Sequence, residues 1–220
     1  MTKTNLDDFA YRAIINLILK NQLKPGDSLL ETQLAQSLGL SRTPVRHALG
    51  QLIAEGFLDK KAKKGCFIPS PTSEDASRVF YAREHIEGLT AASAARYATD
   101  EDVEYLYDLI DKEKNIPSLD THESKLLYLN INEHFHLKIA RISQNKYLEQ
   151  YCRHSFWRSN TYILFFDEYY NGLAQDGGQV TGPRQHMKIA KAIENSNEEK
   201  AGNLMRQHVR STFEQLFIKL

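Results

Sequence analysis

Polar residues in the C-terminal half of the chain are candidates for coordination chemistry, namely Asn132, His136, His186 and His208. Asn132 and His136 are one helical turn apart, so on a helix both side chains can point at the same spot. His186 and His208 belong to the last two predicted helices. Imidazole nitrogens and amide oxygens are ligands for divalent transition metals. Spacing alone leaves two interpretations open: a shared site, or separate histidines on the surface or hydrogen-bonded in the core.

A second pair with chemical potential is Arg42 and Arg46, which lie one turn apart near the start of a predicted helix. A guanidinium can make two parallel hydrogen bonds to a guanine edge or a phosphate, and a helix N-terminus adds positive potential. These features favour DNA binding. Taken alone, the pair is more typical of arginines on the solvated face of an ordinary helical bundle.

The elements that position these arginines are two short helices within residues 34–58, joined at Gly39. The second helix is predicted to begin at Ser41, whose side-chain oxygen can cap its first turn, and Pro44 is tolerated in that turn. Apolar residues at helical spacing predict its buried face: Val45, Ala48, Leu49, Leu52 and Ile53. The residues left near the other side are Arg42, Thr43, Arg46 and His47.

Residues 57–69, FLDKKAKKGCFIP, follow as two short apolar pieces around a basic centre. The pattern predicts a β-hairpin whose tip region contains Lys60, Lys61, Lys63, Lys64 and Gly65. A helix-turn-helix followed by such a hairpin is a winged helix, which is a DNA-binding fold. The sequence predicts no sheet beyond this wing.

Residues 11–69 resemble the DNA-binding domain of the GntR family of bacterial transcription regulators. The matching residues are Ile15, Ile18, Leu23-Lys24-Pro25-Gly26-Asp27, Leu30-Glu31, Leu34-Ala35, Gly39, Ser41-Arg42-Thr43-Pro44-Val45-Arg46, Ala48-Leu49, Leu52, Glu55-Gly56 and Gly65. The resemblance implies that Arg42 and Arg46 approach the major groove of double-stranded DNA. It also implies that Thr43 helps to hold the DNA backbone and that Gly65 lies near the minor groove.

Departures from the family pattern affect the expected DNA contacts. Thr32 stands where some members have a base-reading arginine, and Leu30 stands where a capping serine is common, so a different operator sequence is expected. His47 occupies a position often held by glutamate, and an imidazole repels phosphates less than a carboxylate does. The predicted DNA-binding residues are Arg42, Thr43, Arg46, His47, Thr32, Lys63, Lys64 and Gly65.

The charge distribution indicates two unlike parts. Residues 1–70 carry ten Lys or Arg against six Asp or Glu, and residues 71–220 carry eighteen against twenty-two, so zero net charge hides a basic N-terminal domain. No apolar run is long enough to cross a membrane and the N-terminus lacks a secretory pattern, which predicts a soluble, cytoplasmic protein without a membrane partner. Cys66 and Cys152 lack metal-type spacing and are expected to be inert thiols.

Beyond residue 74, apolar residues recur three and four apart, which predicts helices over about 74–98, 100–114, 122–143, 145–170, 183–195 and 198–219. The predicted fold class is mainly α, with an N-terminal winged helix-turn-helix followed by an all-α antiparallel helical bundle. The predicted domains are a DNA-binding domain over 1–70, a linker over 71–75 and a ligand-binding and dimerisation domain over 76–220. Ser73 is predicted to cap the first bundle helix, and the glycine-rich DGGQVTGP segment is a predicted break.

The second part of the chain resembles the FadR-type C-terminal ligand-binding domain, the FCD domain, over most of residues 76–215. The matching patterns are Arg83-x-x-Ile86-Glu87, Asn132-x-x-Phe135-His136, Asn145-x-x-Leu148, His186-x-x-Ile189-x-x-Ala192-Ile193 and Ala201-x-x-x-Met205-x-x-His208. Many members bind a divalent metal through an Asp or Asn and three histidines, which implies a metal site at Asn132, His136, His186 and His208.

A ligand set of three imidazoles and one oxygen suits zinc, nickel, cobalt, iron(II) or manganese. It leaves coordination positions that water or an organic carboxylate can fill. Asn132 in place of aspartate removes a negative charge, so a lower affinity for the metal is expected.

Arg83 has two interpretations in such a pocket. Its planar guanidinium could hold an effector carboxylate in a bidentate pair, which makes it the candidate effector-binding residue. The alternative is a structural salt bridge with Glu87, one turn later. Arg158, Asn160 and Tyr162 of the long helix are further candidates for lining the cavity.

These features predict a transcription regulator, a repressor, that binds a pseudo-palindromic operator as a homodimer and responds to a small carboxylate effector at the metal. One alternative keeps the DNA-binding role with a metal-free pocket for an acyl chain or another ligand. The other alternative is a metal-dependent enzyme. An enzyme would need a general acid or base, and the nearby carboxylate Glu133 is expected on a different helix face.

Overall fold

A computed structural model of the chain describes residues 3–20, 22–62, 65–70, 72–119, 121–165 and 181–217. Its N-terminal elements are α1 (Lys3–Leu19), β1 (Ser28–Leu29), α2 (Glu31–Leu38), α3 (Arg42–Ala54), β2 (Asp59–Lys61) and β3 (Gly65–Phe67). Its C-terminal elements are α4 (Ser73–Tyr97), α5 (Asp100–Lys114), α6 (His122–Ile142), α7 (Lys146–Phe165), α8 (Thr181–Glu194) and α9 (Glu198–Phe217). The wing residues Lys63 and Lys64, and residues 176–180 of the glycine-rich segment, lie outside the described residues.

Helices α2 and α3 form the predicted helix-turn-helix. Gly39 ends α2 with a φ of 64°, a left-handed conformation that glycine adopts without strain from a Cβ. Helix α3 begins at Arg42, packs against α1, and buries the predicted apolar face, with Ile53 only partly covered. The two arginines therefore sit on the first turns of an anchored helix.

The small sheet is larger than predicted. Strands β2 and β3 pair antiparallel as the expected hairpin, and β1 adds to the other side of β3, giving the order β1-β3-β2. Leu29 of β1 pairs with Cys66 and its side chain is 4% exposed. A two-residue strand is too short to show the alternation of buried and exposed residues that identifies a strand in a sequence. The sequence pattern therefore could not predict β1 or the burial of Leu29.

Two predicted helix caps differ in the structure. Ser41 is the N-cap residue of α3, but its hydroxyl makes no capping hydrogen bond. Thr72, rather than Ser73, caps α4, because Thr72 Oγ1 accepts a hydrogen bond from the Asp75 amide at 3.1 Å. Threonine and serine both cap helices, and the extended backbone of Thr72 decides between these neighbours.

The C-terminal part is the predicted helical bundle, and its helices start within two residues of the predicted positions. Helix α4 runs through the bundle and packs against α6, α7, α8 and α9, while α5 packs against α6 and α8. The apolar faces of these helices form one core, which includes Phe80, Leu106, Ile110, Phe135, Ile139, Ile189, Met205 and Val209. Within the described part of the chain, no helix combines the length and apolar character that a membrane span requires.

The winged helix and the bundle share a packed interface. Phe57, which follows α3, meets Trp157 of α7 edge to face, with ring centroids 5.3 Å apart. Gly56 has a φ of 79° and lies against His154 of α7, so close that a Cβ on residue 56 would come within 2.7 Å of the imidazole. The residues that follow α3 therefore pack against helix α7 of the bundle.

Arg158 of α7 adds a polar contact between the two parts. Its guanidinium donates to Asp59 of β2 at 2.8 Å and to Asp75 of α4 at 3.0 Å. The Tyr162 hydroxyl also donates to Asp75. Arg158 therefore joins the wing to the first bundle helix and Tyr162 supports it at Asp75, whereas the sequence offered both as candidates for lining the cavity.

Replacing Trp157 with alanine is expected to lower the free energy of unfolding by about 3 to 5 kcal/mol, the usual cost of removing a large buried aromatic side chain. Trp157 is 3% exposed, and its indole N–H donates to Glu133 at 3.1 Å. Tyr147→Ala is the matched control on the same helix, because Tyr147 is 61% exposed. This control should cost less than about 0.5 kcal/mol. Urea denaturation followed by circular dichroism measures both, and equal losses would contradict the packing described above.

Candidate metal centre and nucleic-acid interface

His136, His186 and His208 meet inside the bundle, one each from α6, α8 and α9. The Nε2 atom of His208 lies 3.2 Å from Nε2 of His186 and 3.3 Å from Nε2 of His136. All three residues are buried. The structure therefore brings together the three histidines whose convergence the sequence spacing left open.

Glu87 and Glu113 set the protonation of two of these rings. His136 Nδ1 donates to Glu87 of α4, and His186 Nδ1 donates to Glu113 Oε2 of α5 at 2.7 Å. Because an ionised carboxylate can only accept, the Nδ1 atom of each ring must carry the proton. A neutral ring protonated on Nδ1 presents a lone pair on Nε2, so both rings turn a lone pair inward.

His208 is also protonated on Nδ1, and there the acceptor is a side-chain amide oxygen. The Ser211 hydroxyl donates its hydrogen to the His208 carbonyl at 2.9 Å. Ser211 Oγ can therefore accept a hydrogen bond from the Gln185 amide nitrogen, 3.2 Å away. This orients the Gln185 oxygen toward His208 Nδ1, 2.6 Å away. His208 therefore also donates from Nδ1, and its Nε2 lone pair faces the other two.

These lone pairs face one another with no proton between them, and a bound cation would satisfy all three. Nitrogen ligands about 2.0–2.1 Å from a tetrahedral ion stand about 3.3 Å apart, close to the observed 3.2 and 3.3 Å. Burial lowers the pKa of His136 to about 4 in spite of Glu87, and burial also lowers the pKa of His208. Both rings are thus neutral near pH 7, the form that binds metals. The donor set fits a divalent transition metal.

Asn132 lies one turn before His136 on α6 and is 8% exposed. It shares a small cavity with His208, whose volume of about 10 Å³ is close to that of one water-sized molecule. The walls are Arg83, Tyr128, Leu129, Asn132, Asn160, Ile163, His208 and Thr212. The cavity therefore unites two predicted metal ligands, the predicted effector residue and one of the polar residues suggested on α7.

Arg83 forms the salt bridge that was one of its two interpretations. Its Nε donates to Glu87 and its Nη1 donates to Ser159 Oγ at 3.1 Å. The guanidinium carbon lies 4.7 Å from the centre of the Phe156 ring. Burial by itself would raise the pKa of Glu87, but the charges and hydrogen bonds of Arg83 and His136 outweigh it and lower this pKa to about 2. Arg83 is thus a structural partner of Glu87 as well as a wall of the cavity.

Sequence reasoning missed the roles of Glu87 and Glu113 beside the histidines and considered Glu133 instead. Glu133 accepts the Trp157 indole N–H at 3.1 Å, on the side of α6 that faces the winged helix. The signal for Glu113 was its position, since it continues the buried stripe of α5 formed by Val103, Leu106 and Ile110. A carboxylate on a buried stripe requires a partner.

The six predicted DNA-contacting residues that the structure describes are exposed. Those on α3 are exposed on the side opposite its buried face: Arg42, Thr43, Arg46 and His47. Thr32 of α2 and Gly65 of β3 are also exposed. His47 Nδ1 lies 3.0 Å from the Asp7 carboxylate of α1. A feature that the sequence did not predict is that Arg42 and Arg46 both contact Glu31 of α2.

Two family profiles match this chain. The profile described as "Bacterial regulatory proteins, gntR family" matches residues 6–68, and the profile described as "FCD domain" matches residues 78–211. The chain is 27% identical over 203 residues to the uncharacterized HTH-type transcriptional regulator YdhC of Bacillus subtilis (strain 168), covering 92% of this chain and 85% of that protein. It is 27% identical over 222 residues to the HTH-type transcriptional repressor GlaR of Escherichia coli (strain K12), covering 95% and 94%.

A solved structure confirms the fold class. The E. coli protein McbR/YncC superposes with a TM-score of 0.75 at 19% identity, covering 100% of this chain and 99% of that one. The matching relatives are transcriptional regulators, in agreement with the predicted absence of enzymatic activity. The chain is a DNA-binding transcriptional regulator that belongs to the GntR family and carries an FCD domain as its C-terminal part.

Proposed function

We propose that this regulator is a repressor that binds a pseudo-palindromic operator as a homodimer and responds to a small organic acid bound at a divalent transition metal in the FCD domain. The observation that carries the metal is the convergence of three buried Nε2 atoms on rings whose Nδ1 atoms each meet a side-chain oxygen. The name of the relative GlaR, a transcriptional repressor, supports the direction of regulation.

The proposed metal ligands are Asn132, His136, His186 and His208. A divalent ion held by them would supply a Lewis acid with open positions that an organic carboxylate can occupy, and zinc, nickel, manganese, iron and cobalt all suit such ligands. Glu87 and Glu113 hold two of the rings in the ligating tautomer through their Nδ1 atoms. Such outer partners orient ligands and raise their basicity.

The proposed effector pocket is the cavity beside Asn132 and His208. Polar side chains, including Arg83 and Asn160, line one part of it, which suits a small carboxylate. At about 10 Å³ the cavity is too small for an organic acid unless its walls move. Effector binding therefore has to move the side chains that line the cavity, and we propose that this movement displaces the helices that carry them and so reaches the DNA-binding domain.

Helix α7 is the proposed route from the pocket to DNA. The Phe156 ring lies 5.4 Å from the His136 ring and packs on Arg83. Its neighbour Trp157 packs on Phe57, at the end of the recognition helix. A shift of α7 thus moves the winged helix, and a coupling free energy of roughly 1 to 3 kcal/mol would change operator affinity about 5- to 150-fold.

The metal is tested by elemental analysis of protein purified without a chelator or a metal-affinity tag. The native protein is expected to contain about one transition metal per chain, because three imidazoles and one oxygen supply four protein ligands. His136→Ala combined with His186→Ala should lose this metal. The matched control is His134→Ala on the same helix, since His134 is exposed and its Nδ1 bonds the Asn130 carbonyl at 2.7 Å.

Metal in the native protein and in the double variant alike would refute the proposed ligands. If the native protein holds no metal, the second candidate function gains, in which the same DNA-binding protein uses a metal-free pocket for an acyl chain or another ligand. That function predicts that His136→Ala leaves the response to ligand intact.

Arg42→Ala and Arg46→Ala are each expected to weaken operator binding by about 1 to 3 kcal/mol, the range for loss of a bidentate base contact. Arg12→Ala is the control in the same domain, because Arg12 is exposed and pairs only locally with Asp8, 3.1 Å away. Fluorescence anisotropy with an operator selected from random duplex DNA gives the affinities at physiological salt. Full affinity in both α3 variants would place the reading of DNA elsewhere.

The homodimer is proposed because a pseudo-palindromic operator presents one half-site to each recognition helix. Large apolar side chains on α4 support it, since Tyr81 is 67% and Leu89 55% exposed in the single chain. Sedimentation equilibrium at micromolar concentration should give twice the chain mass of 25.3 kDa. A monomer at that concentration would count against the dimer.

A further inference from the structure

Glu31, the first residue of α2, bridges both arginines of the recognition helix. Its Oε2 accepts from Arg42 Nη2 at 3.2 Å. Its two oxygens also face Arg46, with Nε 3.2 Å from Oε1 and Nη2 3.1 Å from Oε2. Arg42 and Arg46 are therefore held side by side by a single carboxylate from the neighbouring helix.

The bridge changes the electrostatics of the DNA-reading surface. Hydrogen bonding from Arg46, aided by Arg42, lowers the pKa of Glu31, so the carboxylate stays ionised. Two adjacent guanidinium groups then carry one net positive charge instead of two. A phosphate, which is anionic, is attracted less strongly to this trio, whereas the O6 and N7 acceptors of guanine are neutral and lose much less.

The arginines keep donors for a base while they contact Glu31. A guanidinium has five N–H groups, and Arg42 uses only Nη2 toward the carboxylate. Arg46 uses its Nε and Nη2 side, which leaves the edge at Nη1 and the second Nη2 hydrogen for another acceptor. Both side chains remain largely exposed, at 59% and 60%, so this outer edge is open to DNA.

We propose that Glu31 is a specificity-determining positioning residue that aligns the two recognition arginines and biases them toward guanine edges over phosphates. This inference rests on the proposed role of Arg42 and Arg46. It does not require the exposed ion pairs to add much stability, because such pairs contribute little to folding. Its effect lies in the ratio of operator affinity to nonspecific affinity.

Glu31→Gln tests the inference, because glutamine keeps the shape and removes the charge. The wild-type chain is first used to select a binding duplex from random DNA, and anisotropy then compares that duplex with a scrambled one over a range of salt. Glu31→Gln should bind the scrambled duplex roughly five- to tenfold more tightly near 0.1 M salt, with a log–log salt slope steeper by about 0.9, as expected for one further phosphate contact. Affinity for the selected duplex should change less than about twofold.

Glu74→Gln is the matched control. Glu74 also lies in the first turn of a helix and pairs with an arginine, Arg78, at 2.6 Å, so the substitution adds the same charge away from α3. Glu31→Asp is the conservative variant and should keep the wild-type ratio of affinities. If Glu31→Gln behaves like Glu74→Gln, the inference about Glu31 is overturned.

Failure of the underlying function gives a different result. If the wild-type chain selects no sequence, or if Arg42→Ala and Arg46→Ala bind like the wild type, the proposed recognition surface and the role of Glu31 both fall. If the arginine variants lose affinity while Glu31→Gln keeps the ratio and the salt slope, only the role of Glu31 falls.

Discussion

The buried contact of Glu87 with Arg83 and His136 is the interaction on which the rest of the bundle depends. Glu87 is 0% and Arg83 2% exposed, and buried charges are tolerated only when they are paired and hydrogen-bonded. Together the three residues and Ser159, which accepts from Arg83, tie α4 to α6 and α7. An apolar residue in place of Glu87 would leave a buried guanidinium without its partner and His136 Nδ1 without its acceptor. Helix packing and the tautomer of His136 are therefore set by the same carboxylate.

The same triad reaches the DNA-binding domain through consecutive residues of α7. Successive side chains on a helix project in different directions, so Phe156 faces Arg83 and His136 while Trp157 faces Phe57. The two contacts are made by adjacent residues of one rigid helix. A movement of α7 that changes one contact therefore also changes the other. Arg83, which the Phe156 ring covers, is also a wall of the small cavity, so a movement of this wall would be felt by α7 and, through Trp157, by the winged helix.

Sequence patterns predicted the elements well and their cross-contacts poorly. The helices of the bundle, Gly39 and the buried face of α3 follow from periodicity and from the conformational freedom of glycine, which are local properties. The partners of the histidine Nδ1 atoms are not local, because Glu113 reaches His186 from 73 residues away in the chain. The periodicity of α5 is consistent with a buried Glu113 but does not reveal what this residue contacts. The ion pairs of Glu31 with Arg42 and Arg46 were not predicted for the same reason, because they join two different helices.

The charge balance of the proposed site depends on having asparagine rather than aspartate at position 132. Arg83 and Glu87 offset each other, and the proposed ligands Asn132, His136, His186 and His208 are all neutral. A Glu113 carboxylate would then compensate only one of the two positive charges of a divalent ion, which would leave the buried site one negative charge short. An aspartate in place of Asn132 would supply that charge from the protein. With asparagine, the proposed monoanionic carboxylate effector would complete the balance, because a net charge in a low-dielectric interior is costly. In the proposed site, the asparagine that lowers the expected affinity for the metal alone would therefore raise the dependence of metal binding on the organic acid.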